Sequence, residues 1–167
     1  KQKSIMKHNY QAPWGILLVV ISSVTTILCV GIAAGIIFSS HSNAPWVALS
    51  PLALIVGGAL FTIRSYTITP NAILIHRLCW TTQLPLTGLQ SARFEPDAMQ
   101  GSIRTFGNGG LFSFSGFFHN KTLGTYRAFV TDPSLTIVLR FPSHTVVISP
   151  ATPEEFVKHI EITDLTH

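Results

Sequence analysis

The stretch SYTITPNAILIHRLCW, residues 65–80, decides how this chain is read. It holds two β-rich runs, SYTITP and ILIHRL, and Pro70, Asn71 and Ala72 supply turn chemistry between them. Alternating apolar side chains on either side of such a turn are the signature of a β-hairpin. Working outward toward the C-terminus, CWTTQLPL continues as a third strand, and LQSARFEP offers Leu89, Ala92 and Phe94 as core positions. After the loop EPDAMQGS come FSFSGFF, GTYRAFVT, SLTIVLRF and HTVVIS, with HNKT and TDPS as turns. No helical pattern of a dozen residues separates these strands, which argues against a parallel α/β sheet.

The chain closes differently. In SPATPEEFVKHIEI, Thr152 is a suitable N-cap, Pro153 suits the first helical position and Glu155 completes a capping box. Phe156, Val157 and Ile160 then share one helical face, ready to cover a sheet. The expectation is an α+β domain: about seven mainly antiparallel strands forming a barrel or sandwich, capped by a C-terminal helix.

Toward the N-terminus the composition changes. Charged residues make up only 11% of the chain, and mean hydropathy is +0.41, whereas soluble domains run near 25% charged. Residues 14–38, WGILLVVISSVTTILCVGIAAGIIF, hold no charge, Asn or Gln. As a helix they reach about 37 Å, against a hydrocarbon core of about 30 Å. Residues 46–63, WVALSPLALIVGGALFTI, form a second uncharged run of about 27 Å. Each opens with a Trp, a residue of the membrane–water interface. A cleaved leader fits poorly, because its apolar region spans 7–15 residues and here a second apolar run follows at once. The short linker SSHSNAP carries no Lys or Arg, while Lys1, Lys3 and Lys7 precede the first run and Arg64 and Arg77 follow the second. The positive-inside rule therefore places both termini in the cytoplasm. The expected division is a basic N-terminus over 1–13, a transmembrane hairpin over 14–63 and a cytoplasmic domain over 64–167. Gly31 and Gly35 form G-x-x-x-G, and Gly57 and Gly58 lie on a small-residue face of the second run. Such residues let helices approach closely, either within the hairpin or between two copies of the chain.

A two-span hairpin followed by YTITPNAILIHRLCW, an RTFGNGG segment and a late VVISPATPEEFV resembles the membrane-anchored bacterial PH-domain (pleckstrin-homology-like) proteins. The resemblance covers most of the chain. It implies a PH-like barrel at the inner membrane of a bacterium, in self-assembling or partner-binding roles and without catalysis. PH domains that bind inositol lipids usually carry a basic cluster in the turn between their first two strands. The corresponding TPNA here has no Lys or Arg, which counts against that ligand.

The glycine-rich IRTFGNGGLFSFSGFF, residues 103–118, invites a nucleotide reading and fails it. Gly110 is followed by Leu111 and Phe112 rather than Lys and Ser or Thr, so there is no P-loop. Phe112 occupies the third glycine position of a dinucleotide fingerprint. The segment reads as a turn entering an aromatic strand, with glycine permitting positive φ or a bulge. Histidines are scattered without metal-ligand spacing, and Cys29 and Cys79 have no Cys or His partner at such spacing. No nucleophile–base constellation is visible, so no enzyme, cofactor or metal is expected. Of eleven Lys and Arg, four lie in the first 64 residues, where no Asp or Glu occurs. The remaining seven are matched by seven acidic residues. The domain therefore has no basic excess for nucleic acid. What remains is a scaffold that assembles with a protein partner or with itself at the bilayer. The alternative is an anion or lipid head-group sensor in which Arg104, Asn108, Lys121, Tyr126 and Arg127 converge on a hairpin end, where backbone amides form an anion nest.

Overall fold

The computed structural model describes residues 8–38 and 45–164. Lys1, Lys3, Lys7 and most of the linker between the apolar runs lie outside the described residues. The chain begins with β1 (His8–Gln11), enters α1 (Ile16–Phe38) and returns through a 3₁₀ turn (Pro45–Ala48) and α2 (Leu49–Leu60). A meander follows: β2 (Ile63–Ile68), β3 (Ala72–Arg77) and β4 (Thr81–Pro85). Next come β5 (Ser91–Phe94), β6 (Ile103–Gly109), β7 (Phe114–Asn120), β8 (Gly124–Val130), β9 (Ile137–Arg140) and β10 (Thr145–Ile148). The last element is α3 (Pro153–Asp164).

The strands form two sheets, ordered β1-β2-β3-β4 and β5-β9-β10-β8-β7-β6. The turn read from Pro70, Asn71 and Ala72 sets the β2–β3 register, with Ile68 opposite Ile73 and Tyr66 opposite Ile75. Every pairing is antiparallel except β8–β10, which is parallel, in keeping with the expected mainly antiparallel domain. The sheets enclose one apolar core: Tyr66, Ile73 and Ile75 from the first, Phe129, Leu139 and Ile148 from the second. Phe156 and Ile160 of α3 close it, as their shared helical face predicts. A second apolar cluster lies on the opposite face of the six-stranded sheet, where Phe114, Phe118, Ala128, Val130, Val138 and Val147 are covered by Leu18 of α1.

Two strands were not expected. β1 lies in the segment read as a basic N-terminus, yet it pairs with β2 from His8 opposite Ile68 to Gln11 opposite Ser65. Its continuation is bonded throughout: Ala151 N–H donates to Gln11 O, Ala12 N–H to Arg64 O and Gly15 N–H to Thr131 O. The second, β6, falls where a turn was expected. Its alternation is broken by a bulge between Arg104 and Phe106, and its glycines leave few side chains to show a period. Gly107 (φ +107°) lies opposite Gly116 (φ +145°). A Cβ at either would run into the other strand's backbone, so this crossing requires glycine on both sides.

The helices depart from expectation at their ends and in their packing. α1 starts at Ile16, two residues later than Trp14. Of the second run, only Leu49–Leu60 is α-helical, and Ile63 already belongs to β2. Pro51 falls in the first turn, where its missing N–H is no loss. Phe61 and Thr62 donate to Gly58 and Ala59 carbonyls in 3₁₀ fashion and end the helix. By length and composition α1 is the one described helix able to cross a membrane, and the apolar helix Trp46–Leu60 is shorter. Gly31, Gly35 and Gly57 face open space, with nothing within 4 Å of a built Cβ. The buried small residues of the helices are instead Ser22, Cys29, Ala33 and, in the 3₁₀ turn, Ala48. Gly58 packs against the domain, where a Cβ would fall 2.5 Å from Leu111 Cδ2.

Candidate functional site

The end of the domain from which the helices leave is tied by side-chain hydrogen bonds and ring contacts. Ser22 on α1 donates through Oγ to Gly110 O at 3.3 Å and accepts from Phe112 N–H at 2.9 Å, fixing the β6–β7 tip to the helix. Ser113 Oγ donates to Phe61 O at the end of α2. Trp14 leans on Phe112 with ring centroids 6.0 Å apart, and Phe61 meets Trp80 edge-on at 5.3 Å. Two tryptophans and two phenylalanines thus surround the base of the helices, with the chemistry of a membrane–water interface.

Arg77 occupies the centre of this base. It ends β3 opposite Ile63 and is 9% exposed. Its Nη1 donates to Phe61 O at 3.0 Å and to Ser115 Oγ at 3.3 Å. A cation on the last carbonyls of α2 is favoured by the helix dipole. The guanidinium also lies over the rings of Phe61, Trp80 and Phe129 at 5.3–5.7 Å. Nevertheless its Nε is buried without a hydrogen-bond partner. Burial, and then the nearby Arg127, lower the Arg77 pKa from its ordinary value. Arg127 itself is exposed, with its Cζ 4.7 Å from the Phe129 centroid and 5.9 Å from that of Phe117. Among the described residues Arg77, Arg104 and Arg127 form no ion pair. The base therefore carries the positive charge of Arg77 and Arg127 without an ion pair to either among the described residues.

The residues expected at one hairpin end separate. Asn108, opposite Ser115, lies by the β6–β7 tip, whereas Lys121 is in the turn at the other end of β7. Six residues of strand put them about 20 Å apart. Tyr126 points to the outer face beneath α1, nearly fully buried, its hydroxyl 2.7 Å from Ser102 Oγ. That burial raises its pKa. Asn108 is occupied with local structure: Oδ1 accepts from Gly110 and Leu111 N–H, and Nδ2 donates to Leu111 O. What the fold does bring together is Arg104 and Asn108 with Gly57 and Gly58, lining one groove between α2 and β6. In the sequence alone Arg77 serves only as a marker of membrane orientation. Its position directly after ILIH, on the inward-facing alternate of β3, was the available signal that it is buried.

Two sheets closed by a C-terminal helix, with an uncharged inter-strand turn at one end and a cationic, aromatic base at the other, define a PH-like domain. The family model described as bacterial PH domain matches residues 64–163, and the chain belongs to that family. Such domains are generally non-catalytic interaction modules. No curated protein and no solved structure matches the chain.

Proposed function

We propose that this protein is an interaction module anchored in the bacterial inner membrane. In this reading α1 and α2 insert as a hairpin, and both termini and the domain over 64–167 face the cytoplasm. There the domain assembles with a protein partner or with a second copy of the chain. The observation that carries the reading is the pairing of β1 with β2. These strands flank the two helices, so a chain that leaves the domain through α1 must return to the same domain through α2. The exposed apolar surface of both helices, including Ile16, Ile27, Phe38, Trp46 and Leu49, suits lipid contact.

Assembly is supported by β6. It is an edge strand of the larger sheet, and Ile103 and Phe106 are 72% and 75% exposed. A free edge with apolar side chains is a template for another chain. Full-length protein should remain in the membrane pellet after carbonate washing. Extracted in mild detergent, it should run as a particle heavier than one chain. Ile103→Asp should reduce that particle to a single chain without changing its melting behaviour. A wild-type particle holding one chain and no other protein would end the assembly reading.

Recognition of an anionic head group is a second reading, favoured by Arg77, Arg104 and Arg127, which form no ion pair among the described residues. Lys121, at the far end of β7, has no part in it.

A further inference from the structure

Gly57 on α2 and Arg104 on β6, singled out in the sequence for unrelated reasons, line the same groove. α2 supplies Ala53, Leu54 and Gly57, β6 supplies Arg104 and Phe106, and the volume is about 530 Å³. That size lies within the range of small-molecule sites. The absence of a side chain at Gly57 keeps the groove open, since nothing approaches within 4 Å of its built Cβ. One end is closed by Phe61, whose ring is held under the Arg77 guanidinium at 5.6 Å. Apart from Arg104 and Asn108 the lining side chains are apolar, and the Asn108 amide is taken up by the hairpin tip. Arg104 donates Nη1 to Gly107 O at 3.1 Å and forms no ion pair among the described residues.

We propose that this groove holds one anionic glycerophospholipid, with an acyl chain along Ala53, Gly57 and Phe106 and the phosphate on Arg104. Three observations select this occupant. The groove runs along Ala53, Leu54 and Gly57 of α2, and Leu54 on its rim is exposed, so a chain already in the bilayer enters sideways without crossing a polar barrier. The guanidinium fork matches two phosphate oxygens at once. Arg77 and Arg127, which form no ion pair among the described residues, add positive potential nearby. The site also lies away from the place where inositol-lipid-binding PH domains keep their cluster. That place, the β2–β3 turn, is at the opposite end of the β2–β3 hairpin from Arg77, about 17 Å along the strands.

The inference rests on the anchoring proposed above, and its test separates the two. Full-length protein in neutral detergent is mixed with phosphatidylglycerol, phosphatidylcholine or inorganic phosphate, and bound molecules are counted by native mass spectrometry. One phosphatidylglycerol per chain is expected, held about tenfold more strongly than phosphatidylcholine. Inorganic phosphate should neither bind nor displace it. Arg104→Gln should bring phosphatidylglycerol down to the phosphatidylcholine level. Gly57→Leu, which meets no neighbour, should expel both lipids while leaving the melting temperature unchanged. Equal retention of the two lipids by wild type, or undiminished phosphatidylglycerol in Gly57→Leu, overturns the proposal. Inorganic phosphate binding as strongly as the lipid also overturns it, and so does a protein subunit lost from Gly57→Leu in place of a lipid. If carbonate releases the chain, the anchoring fails and takes this inference with it. A chain that stays in the membrane yet holds no lipid removes the groove site alone.

Discussion

The two faces of the six-stranded sheet are covered in different ways. The inner face is closed by the domain itself: the four-stranded sheet lies across it and α3 seals the gap with Phe156 and Ile160. The outer face, with Phe114, Phe118, Val130 and Val147, is covered by Leu18 and Ile21 from α1. The first turns of α1 are therefore part of the domain, and only its later turns project from it. Beyond Ser22 the helix has 16 residues, or about 24 Å. This is somewhat less than a hydrocarbon core of about 30 Å, so an inserted hairpin draws the aromatic rim of Trp14, Phe61 and Trp80 down to the interface. The contrast teaches that the domain and the start of α1 are one folding unit sharing an apolar cluster.

The strongest way to break this comparison is to cut between the two. A fragment starting at residue 64 keeps every residue of the family match but loses β1, which edges the smaller sheet, and Leu18, which covers the larger. It should collect in the insoluble fraction, or bind a hydrophobic dye strongly, where the full chain in detergent does not. A soluble, dye-negative fragment with full melting cooperativity would show that the outer face needs no cover. Point substitutions sharpen the same contrast. Phe156 is fully buried in the inner core, so Phe156→Ala should cost about 3–5 kcal/mol and unfold much of the domain at ambient temperature. Leu18 is equally buried on the outer face, and Leu18→Ala should cost about 2–4 kcal/mol. Hydrogen exchange should separate them. Phe156→Ala is expected to loosen β2, β3 and β9, and Leu18→Ala to loosen β7, β8 and the β6–β7 tip.

How much of this was legible in the sequence follows from the same division. The inner core was readable because its strands alternate and its turns carry their own chemistry: Pro70–Asn71 for β2–β3, and Thr152–Pro153 at the start of α3. β6 escaped because a bulge resets its alternation and glycine replaces the side chains that would show it. β1 escaped because four residues beside an uncharged run of 25 read as the end of a basic N-terminal segment. Only the long-range pairing with β2 makes them a strand. The role of Leu18 was hidden for a different reason. Its apolar character is needed equally for lipid and for the domain face, so hydropathy alone cannot distinguish them. Of the expected site, Arg104 and Asn108 do meet, but Lys121 and Tyr126 lie elsewhere, because strand register, set by the bulge and the turns, decides which polar residues share an end.

The smallest expected effect compares one tyrosine on each face. Tyr66, inside, donates its hydroxyl to Phe129 O at 2.8 Å and accepts from Ser149 N–H at 3.3 Å, joining the two sheets. Burial pushes its pKa up to about 12, although the hydrogen bonds from Ser149 and the nearby Arg77 pull the other way. Tyr126, outside, is raised as well, again by burial first, and Ser102 moderates it. A phenol with a raised pKa holds its proton more tightly folded than unfolded. Its contribution is therefore complete below the ordinary value near 10 and is lost as pH rises toward the folded value. For Tyr66 the window is pH 10 to 12, and by pH 11 the loss is about 1.4 kcal/mol relative to pH 9. Tyr66→Phe should lose about 1–2 kcal/mol at neutral pH, because two buried partners go unsatisfied. It should then fall less steeply than wild type between pH 10 and 12. Urea melts of the full chain at pH 7, 9 and 11 would show whether the two curves converge as this requires. Parallel curves would mean that Tyr66 ionises in the folded domain as readily as in the unfolded chain, and that the junction between the sheets is wetter than its hydrogen bonds imply.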